Sequence, residues 1–138
     1  MSGYRGRYNS LDNTDAAVVV SAPDTTSSIS GGATYEASGT AGQVAIQAAV
    51  DFANTNGINR VYCLEGTYNY ADTLLVPDNV TLEGSGDLTV FSLNNGVNKE
   101  MITNSLATPG SAASVSNVNI TLRNFKVLGN KYKPVSYT

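Results

Sequence analysis

From Thr40 onward the chain takes on a helical rhythm. In TAGQVAIQAAVDFANTNG the apolar residues Ala45, Ile46, Ala49, Val50 and Ala53 recur at the spacing of one helix face. Thr40, with Gln43 three residues on, predicts a capping box at the start. Asn56-Gly57 supplies a left-handed stop. The pattern predicts an amphipathic helix of about three to four turns, with small residues suited to close packing. Beyond it the rhythm shortens. Arg60–Leu64, Thr67–Tyr70, Thr73–Val76, Asn79–Leu82, Leu88–Leu93, Glu100–Thr103 and Asn117–Leu128 predict strands. Turn dipeptides such as Pro77-Asp78, Ser85-Gly86 and Asn95-Gly96 separate them. No second helical pattern interrupts these runs.

The strand-like runs also repeat. VYCL begins at Val61, VTL at Val80, MIT at Met101 and ITL at Ile120, at intervals of 19, 21 and 19 residues. A near-constant period of about twenty residues marks a solenoid turn rather than a hairpin meander. Leu-Glu-Gly occurs at 64–66 and again at 82–84, as though the chain had returned to the same wall. This register stacks Val61 over Val80 and Leu64 near Leu82, with Ile120 and Leu122 further along. Gly66 and Gly84 then fall where the chain bends away.

Residues 1–39 differ from the rest. They are polar and rich in Gly and Ser, with TTSSISGG at 25–32 and no sustained period, a composition that does not order itself alone. They are expected to form an extended arm or anchor, separate from a domain at 40–138. AAVVVSA within the arm is suited to one strand. Tyr4, Arg5, Arg7 and Tyr8 cluster at the extreme N-terminus, a composition favoured where chains dock on other proteins.

Composition narrows the function classes. Only 14% of residues are charged, well below the usual quarter, and Asn, Thr, Ser and Gly fill the deficit, as in turns and polar β-surface. A net charge of −3 argues against a nucleic-acid partner, and Lys131 and Lys133 are too few to track phosphates. No membrane partner is expected either, because AAVVV at 16–20 is too short to span a bilayer. The N-terminus has no apolar targeting segment. Histidine is absent, which removes Ser-His and Cys-His nucleophile systems and the commonest general base. Cys63 is the sole cysteine and sits in an apolar run, as a buried small hydrophobe would. Asn79-Val-Thr81 and Asn119-Ile-Thr121 match the glycosylation sequon but read as residues that open strands.

Three segments together resemble a known architecture. AIQAAVDFA, then NRVYCLEGTYNYADTLLVPDNVTLEGSG, then NVNITLRNFKVLGN look like the start of a pectate-lyase-like right-handed parallel β-helix. In that superfamily an N-terminal helix caps the coils. A G-T-Y turn, an L-x-V-P-x-N-V-T-L-x-G coil and an N-I-T-I-R-N coil follow. Gly66-Thr67-Tyr68, Leu75–Gly84 and Asn119–Asn124 match these, and the resemblance covers about residues 40–130. It implies a mainly all-β chain: a short, right-handed, single-stranded parallel β-helix of about three to four coils, with a capping helix and an extended arm. It implies much less about activity. The superfamily spans pectate lyases, polygalacturonases, bacteriophage tailspikes and other virion proteins. In its enzymes the catalytic carboxylates and basic residues come from coils beyond the third or fourth, where this sequence stops.

Candidate chemistry is sparse. Glu65 and Glu83 are the catalytic candidates: in the register above they share an outward position on adjacent coils, near the separation of about 5 Å used by retaining glycosidases. Arg123 follows at the same position two coils on. The bland alternative is a solvated column of surface residues. Asp72, Asp78 and Asp87 with Glu83 are the only group that suggests calcium, but no calcium loop accompanies them and the Asp residues sit at turns. No metal or other cofactor is therefore expected. Tyr68 and Tyr70 are the carbohydrate-binding candidates in a chain without Trp.

These features point to a non-catalytic structural or attachment protein of a virus particle, such as a phage tail or head fibre, spike or decoration. It would be assembled in the host cytoplasm. Three or four coils leave one end open, so a homo-oligomer, a trimer, is expected. The arm would contact other virion proteins, and cell-surface polysaccharide is a further possible partner. Two rivals stand beside this: the N-terminal part of an extracellular polysaccharide lyase or glycoside hydrolase, and a carbohydrate-binding module.

Overall fold

The fold is organised by strand pairing between distant segments. A computed structural model describes residues 16–26, 31–106 and 117–129. Ten strands and one helix follow in the order β1 (Ala17–Ser21), β2 (Tyr35–Glu36), α1 (Gly42–Thr55), β3 (Arg60–Cys63), β4 (Gly66–Tyr70), β5 (Leu74–Val76), β6 (Thr81–Glu83), β7 (Thr89–Leu93), β8 (Ile102–Asn104), β9 (Thr121–Arg123) and β10 (Lys126–Leu128). The chain is mainly β, and every strand pair is parallel. One sheet runs β2-β1-β3-β6-β9, a second β10-β7-β4 and a third β5-β8. The strands thus fall into layers: β3, β4 and β5, then β6, β7 and β8, then β9 and β10.

Alternation along each strand sends one residue set inward. Val18, Val61, Leu82 and Leu122 are successive partners on the first side. Tyr68, Phe91 and Val127 stand in line on the second, and Leu74 and Ile102 on the third. Phe91 is fully buried and meets Tyr68, Tyr70 and Phe125 at ring centroid distances of 5.5, 5.3 and 4.5 Å. Aromatic pairs at such separations stabilise beyond their buried area.

The expected register is off by two residues. Val61 pairs with Leu82, not Val80. Val80 is buried too, so alternation allows either pairing; the Thr81 N–H donates to the Asn59 carbonyl at 2.7 Å and sets Val61 level with Leu82. The step between layers is also uneven. It is 21 residues from Val61 to Leu82 but 40 from Leu82 to Leu122. The run at Met101 belongs to another side, because β8 pairs with β5. Leu-Glu-Gly at 64–66 rounds the corner between β3 and β4, whereas Leu82 and Glu83 lie inside β6. The two tripeptides are not equivalent positions. Both glycines nevertheless mark bends. Gly66 has φ +136°, and a Cβ on Gly84 would meet the Asn124 carbonyl oxygen at 2.7 Å.

The helix forms where expected but starts differently. Ala41 takes the cap position without a side-chain cap bond. Its N–H donates to Ser38 Oγ at 3.1 Å. Gln43 is buried, and its Oε1 accepts the Ala71 N–H at 2.9 Å. A tertiary partner has therefore taken the side chain that the capping box required. At the other end Gly57, φ +72°, closes the helix as anticipated. Ile46, Ala49, Val50 and Ala53 are fully buried. A side chain such as Ile or Val stabilises by about 1.5–3 kcal/mol when so buried.

The leader is integral to the core where it is described. β1 lies between β2 and β3, and Val18, Val20, Ala22 and Ala37 are buried. A boundary at residue 39 does not separate these residues from the sheet. Among the described residues no helix is long and apolar enough to cross a membrane.

Candidate functional site

The outward face of the first sheet brings together Arg60, Glu83 and Arg123. Val19, Tyr62, Glu83 and Arg123 are successive partners across β1, β3, β6 and β9. Glu83 Oε1 accepts from Arg123 Nη2 at 3.2 Å and from Arg60 Nη2 at 3.5 Å, and Oε2 accepts from Asn124 Nδ2 at 3.4 Å. The Tyr62 and Ser85 hydroxyls meet at 2.7 Å. Partial burial pushes the Glu83 carboxyl up, but the Arg123 hydrogen bond and charge, Arg60 and Asn124 outweigh it and hold it below the usual range. A general acid requires the opposite shift. Glu83 is a structural counter-ion.

The proposed pairing of Glu65 with Glu83 does not form. Tyr62, not Glu65, stands beside Glu83. Glu65 belongs to the corner after β3, where its carbonyl accepts from Thr25 Oγ1 at 2.7 Å and its carboxylate from Thr26 Oγ1 at 3.4 Å. Arg123 does occupy the position level with Glu83, one layer on rather than two.

The tyrosines named as carbohydrate binders point the other way. Tyr68 and Tyr70 have no exposed surface, so neither can stack on a sugar. Gly66 to Tyr70 alternates, and Thr67 and Asn69 are the outward residues. The Tyr68 hydroxyl donates to the Leu64 carbonyl at 2.8 Å, with the Val20 carbonyl at 3.0 Å. Burial drives both phenols far up. Cys63 is fully buried and its thiol is likewise pushed far up, which leaves no thiolate for chemistry.

The acidic residues weighed for calcium are dispersed. Asp72 Oδ1 accepts from Lys99 Nζ at 3.0 Å, and that bond holds its carboxyl below the usual range. Asp78 Oδ1 accepts from Asn117 Nδ2 at 2.7 Å and from the Val118 N–H at 2.9 Å. Asp87 sits exposed in a 3-10 turn at Gly86–Leu88. Among the described residues no group of three or more His, Cys, Asp and Glu could hold a metal. Tyr4, Arg5, Arg7 and Tyr8 lie outside the described residues.

Two features went unread in the sequence. Gln47 makes a pair of hydrogen bonds with β5: its Nε2 donates to the Leu75 carbonyl and its Oε1 accepts the Leu75 N–H, both at 2.9 Å. The side-chain amide stands in for a neighbouring strand. Glutamines at i and i+4 were the signal. Asn79 and Asn119 share left-handed backbone, φ 63° and 57°, and Asn119 Nδ2 donates to Asn79 Oδ1 at 2.9 Å. That both open strands was expected; the left-handed turn and the Asn–Asn bond are the unread part, and the recurrence of Asn-x-Thr-Leu was their signal.

The last layer is where the molecule is exposed. Leu122 and Val127 occupy inward positions, yet remain 44% and 50% exposed. The outer edges of β8, β9 and β10 have no strand beside them among the described residues. No family model, no curated protein and no solved structure matches this chain.

Proposed function

We propose that the chain is a short right-handed parallel β-helix with no catalytic role, serving as a structural or attachment element of a virus particle. Its work is assembly. Inward-facing Leu122 and Val127 lie open at the last layer, and this observation carries the reading: exposed core and unpaired strand edges are templates for further β-structure. The side chains that looked chemical have structural duties. Glu83 balances two arginines, Tyr68 and Tyr70 fill the core, and Asp72 pairs with Lys99. The assignment to a virus particle rests on the likeness to tailspike coils, and the expected state is a trimer.

Light scattering on the intact chain tests this. A mass of three chains, each 14.4 kDa, is the expected result. Replacing Tyr4, Arg5, Arg7 and Tyr8 together by Ala would lower that mass if the N-terminal cluster anchors neighbours. A folded single chain at every concentration would overturn the assembly role.

A further inference from the structure

Asn-Gly occurs twice in the chain, and the two copies have different surroundings. An asparagine ahead of glycine is open to attack on its own side chain, because a residue without Cβ leaves the following amide nitrogen accessible and free to rotate. Asn56-Gly57 ends α1. There Asn56 Nδ2 donates to the Phe52 carbonyl at 2.8 Å, and the Asn56 N–H donates to the same oxygen at 3.0 Å. Just beyond the glycine, the Ile58 N–H donates to the Ala53 carbonyl at 2.9 Å. The helix end thus holds the side-chain amide and the backbone on both sides of it. Asn95-Gly96 forms the tip of the turn between β7 and β8, and both residues are exposed. Gly96 has φ +83°, and a Cβ there would meet nothing within 4 Å. Gly57 is equally open, so space does not separate the two copies. Hydrogen bonding does: the Asn95 side chain makes no hydrogen bond among the described residues.

We infer that Asn95 is a site of spontaneous deamidation, with water as the co-reactant, and that Asn56 is its protected counterpart. The Gly96 nitrogen gives up its proton and bonds to Asn95 Cγ. The Cγ–Nδ2 bond breaks, Nδ2 leaves with that proton as ammonia, and a succinimide ring closes. Water then opens the ring at either carbonyl. One opening keeps the ordinary backbone and leaves an aspartate side chain; the other routes the chain through Cβ and leaves isoaspartate. Either product carries one more negative charge than asparagine. The change stays at the tip of the turn, because the residue before it is anchored. The Asn94 N–H donates to the Tyr70 carbonyl at 2.9 Å, and Asn94 Nδ2 donates to the Thr40 carbonyl at 2.8 Å.

Ageing the full chain in mildly alkaline buffer, once folded and once in urea, tests the assignment. Peptide mass spectrometry reads each asparagine by the replacement of its amide with a carboxylate, and an isoaspartyl methyltransferase reads the rerouted backbone. In the folded chain Asn95 should convert about tenfold faster than Asn56, the rate ratio that one retained hydrogen bond supplies. In urea the two should convert at similar rates, because no helix end then holds Asn56. Asn95→Gln should abolish the fast-forming anionic species and leave the slow conversion at Asn56. Equal rates in the folded chain overturn the inference, and so does an Asn95 that stays intact. A ratio unchanged in urea overturns it too, because neighbouring residues and not the fold would then set the rates.

Discussion

The two ends of the stack solve the same problem differently. At the helix end the edges of β4 and β5 meet partners of other origin. Gln47 pairs both backbone groups of Leu75, Gln43 takes the Ala71 N–H, Asp24 Oδ1 accepts the Thr67 N–H at 2.8 Å, and Asn69 Nδ2 donates to the Gly39 carbonyl at 2.9 Å. Ile46 and Val50 cover the core and are fully buried. At the far end the equivalent inward residues, Leu122 and Val127, are about half exposed. Parallel strands are stable when both edges and both faces are covered. A helix with amide side chains can therefore terminate a parallel stack, and among the described residues the far end has no such partner.

The aromatic column offers the largest test of that contrast. Phe91→Ala removes a fully buried ring that links all three layers on its side, and should cost about 3–5 kcal/mol in urea unfolding. Phe125→Ala acts on a ring of the same column that is only partly buried and should cost about 1–2 kcal/mol. Equal losses would break the comparison, because the far end would then be covered in solution. At the closed end, Gln47→Glu keeps an acceptor for the Leu75 N–H but has no donor for the Leu75 carbonyl. A loss of about 1–2 kcal/mol at neutral pH is expected, and an unchanged midpoint would mean that water serves the β5 edge equally well.

A finer comparison lies within the first layer. Tyr68 has two carbonyls for its hydroxyl, whereas the Tyr70 hydroxyl is buried with no hydrogen-bond partner. An unpaired buried hydroxyl is a cost, and a paired one a modest gain. Tyr68→Phe should lower stability by about 1 kcal/mol and Tyr70→Phe should raise it by a similar amount. Thermal melts of the two variants should shift in opposite directions.

Much of this architecture was legible. The helix, its Gly57 stop and the short strands after it follow from periodicity and turn residues alone. So did the level position of Glu83 and Arg123. The rest failed for physical reasons. Val61, Val80 and Leu82 are all buried, so inward-facing motif starts allow registers two residues apart, and only the backbone bonds between distant segments choose one. One step, from Leu82 to Leu122, takes 40 residues, which hides a period built on averages. β1 pairs with β3 across the whole helix, so the apolar run at Ala17–Ser21 suggests a strand but not which strand it joins. Tyr68 and Tyr70 were misplaced because, in a chain without Trp, they were the aromatic rings nearest at hand for a sugar. The polar alternates Thr67 and Asn69 carried the better signal.

The smallest effect expected is electrostatic, and its pH dependence identifies it. Glu83 titrates below its ordinary value of 4.5 because Arg123, Arg60 and Asn124 favour its charged form. A depressed folded pKa contributes stability above the unfolded value, and that contribution is lost as pH falls through the folded value. Both arginines are largely exposed, so screening keeps the pair below about 1 kcal/mol. Glu83→Gln should therefore melt slightly lower than the native chain at pH 7, and the two curves should converge as the pH drops below 4.5 and the native carboxyl takes up its proton. The gap should also narrow in high salt. A gap that persists unchanged into acid would assign the loss to packing or to the Asn124 hydrogen bond. The outer face of β6 would then owe its register to shape, with the arginines as bystanders.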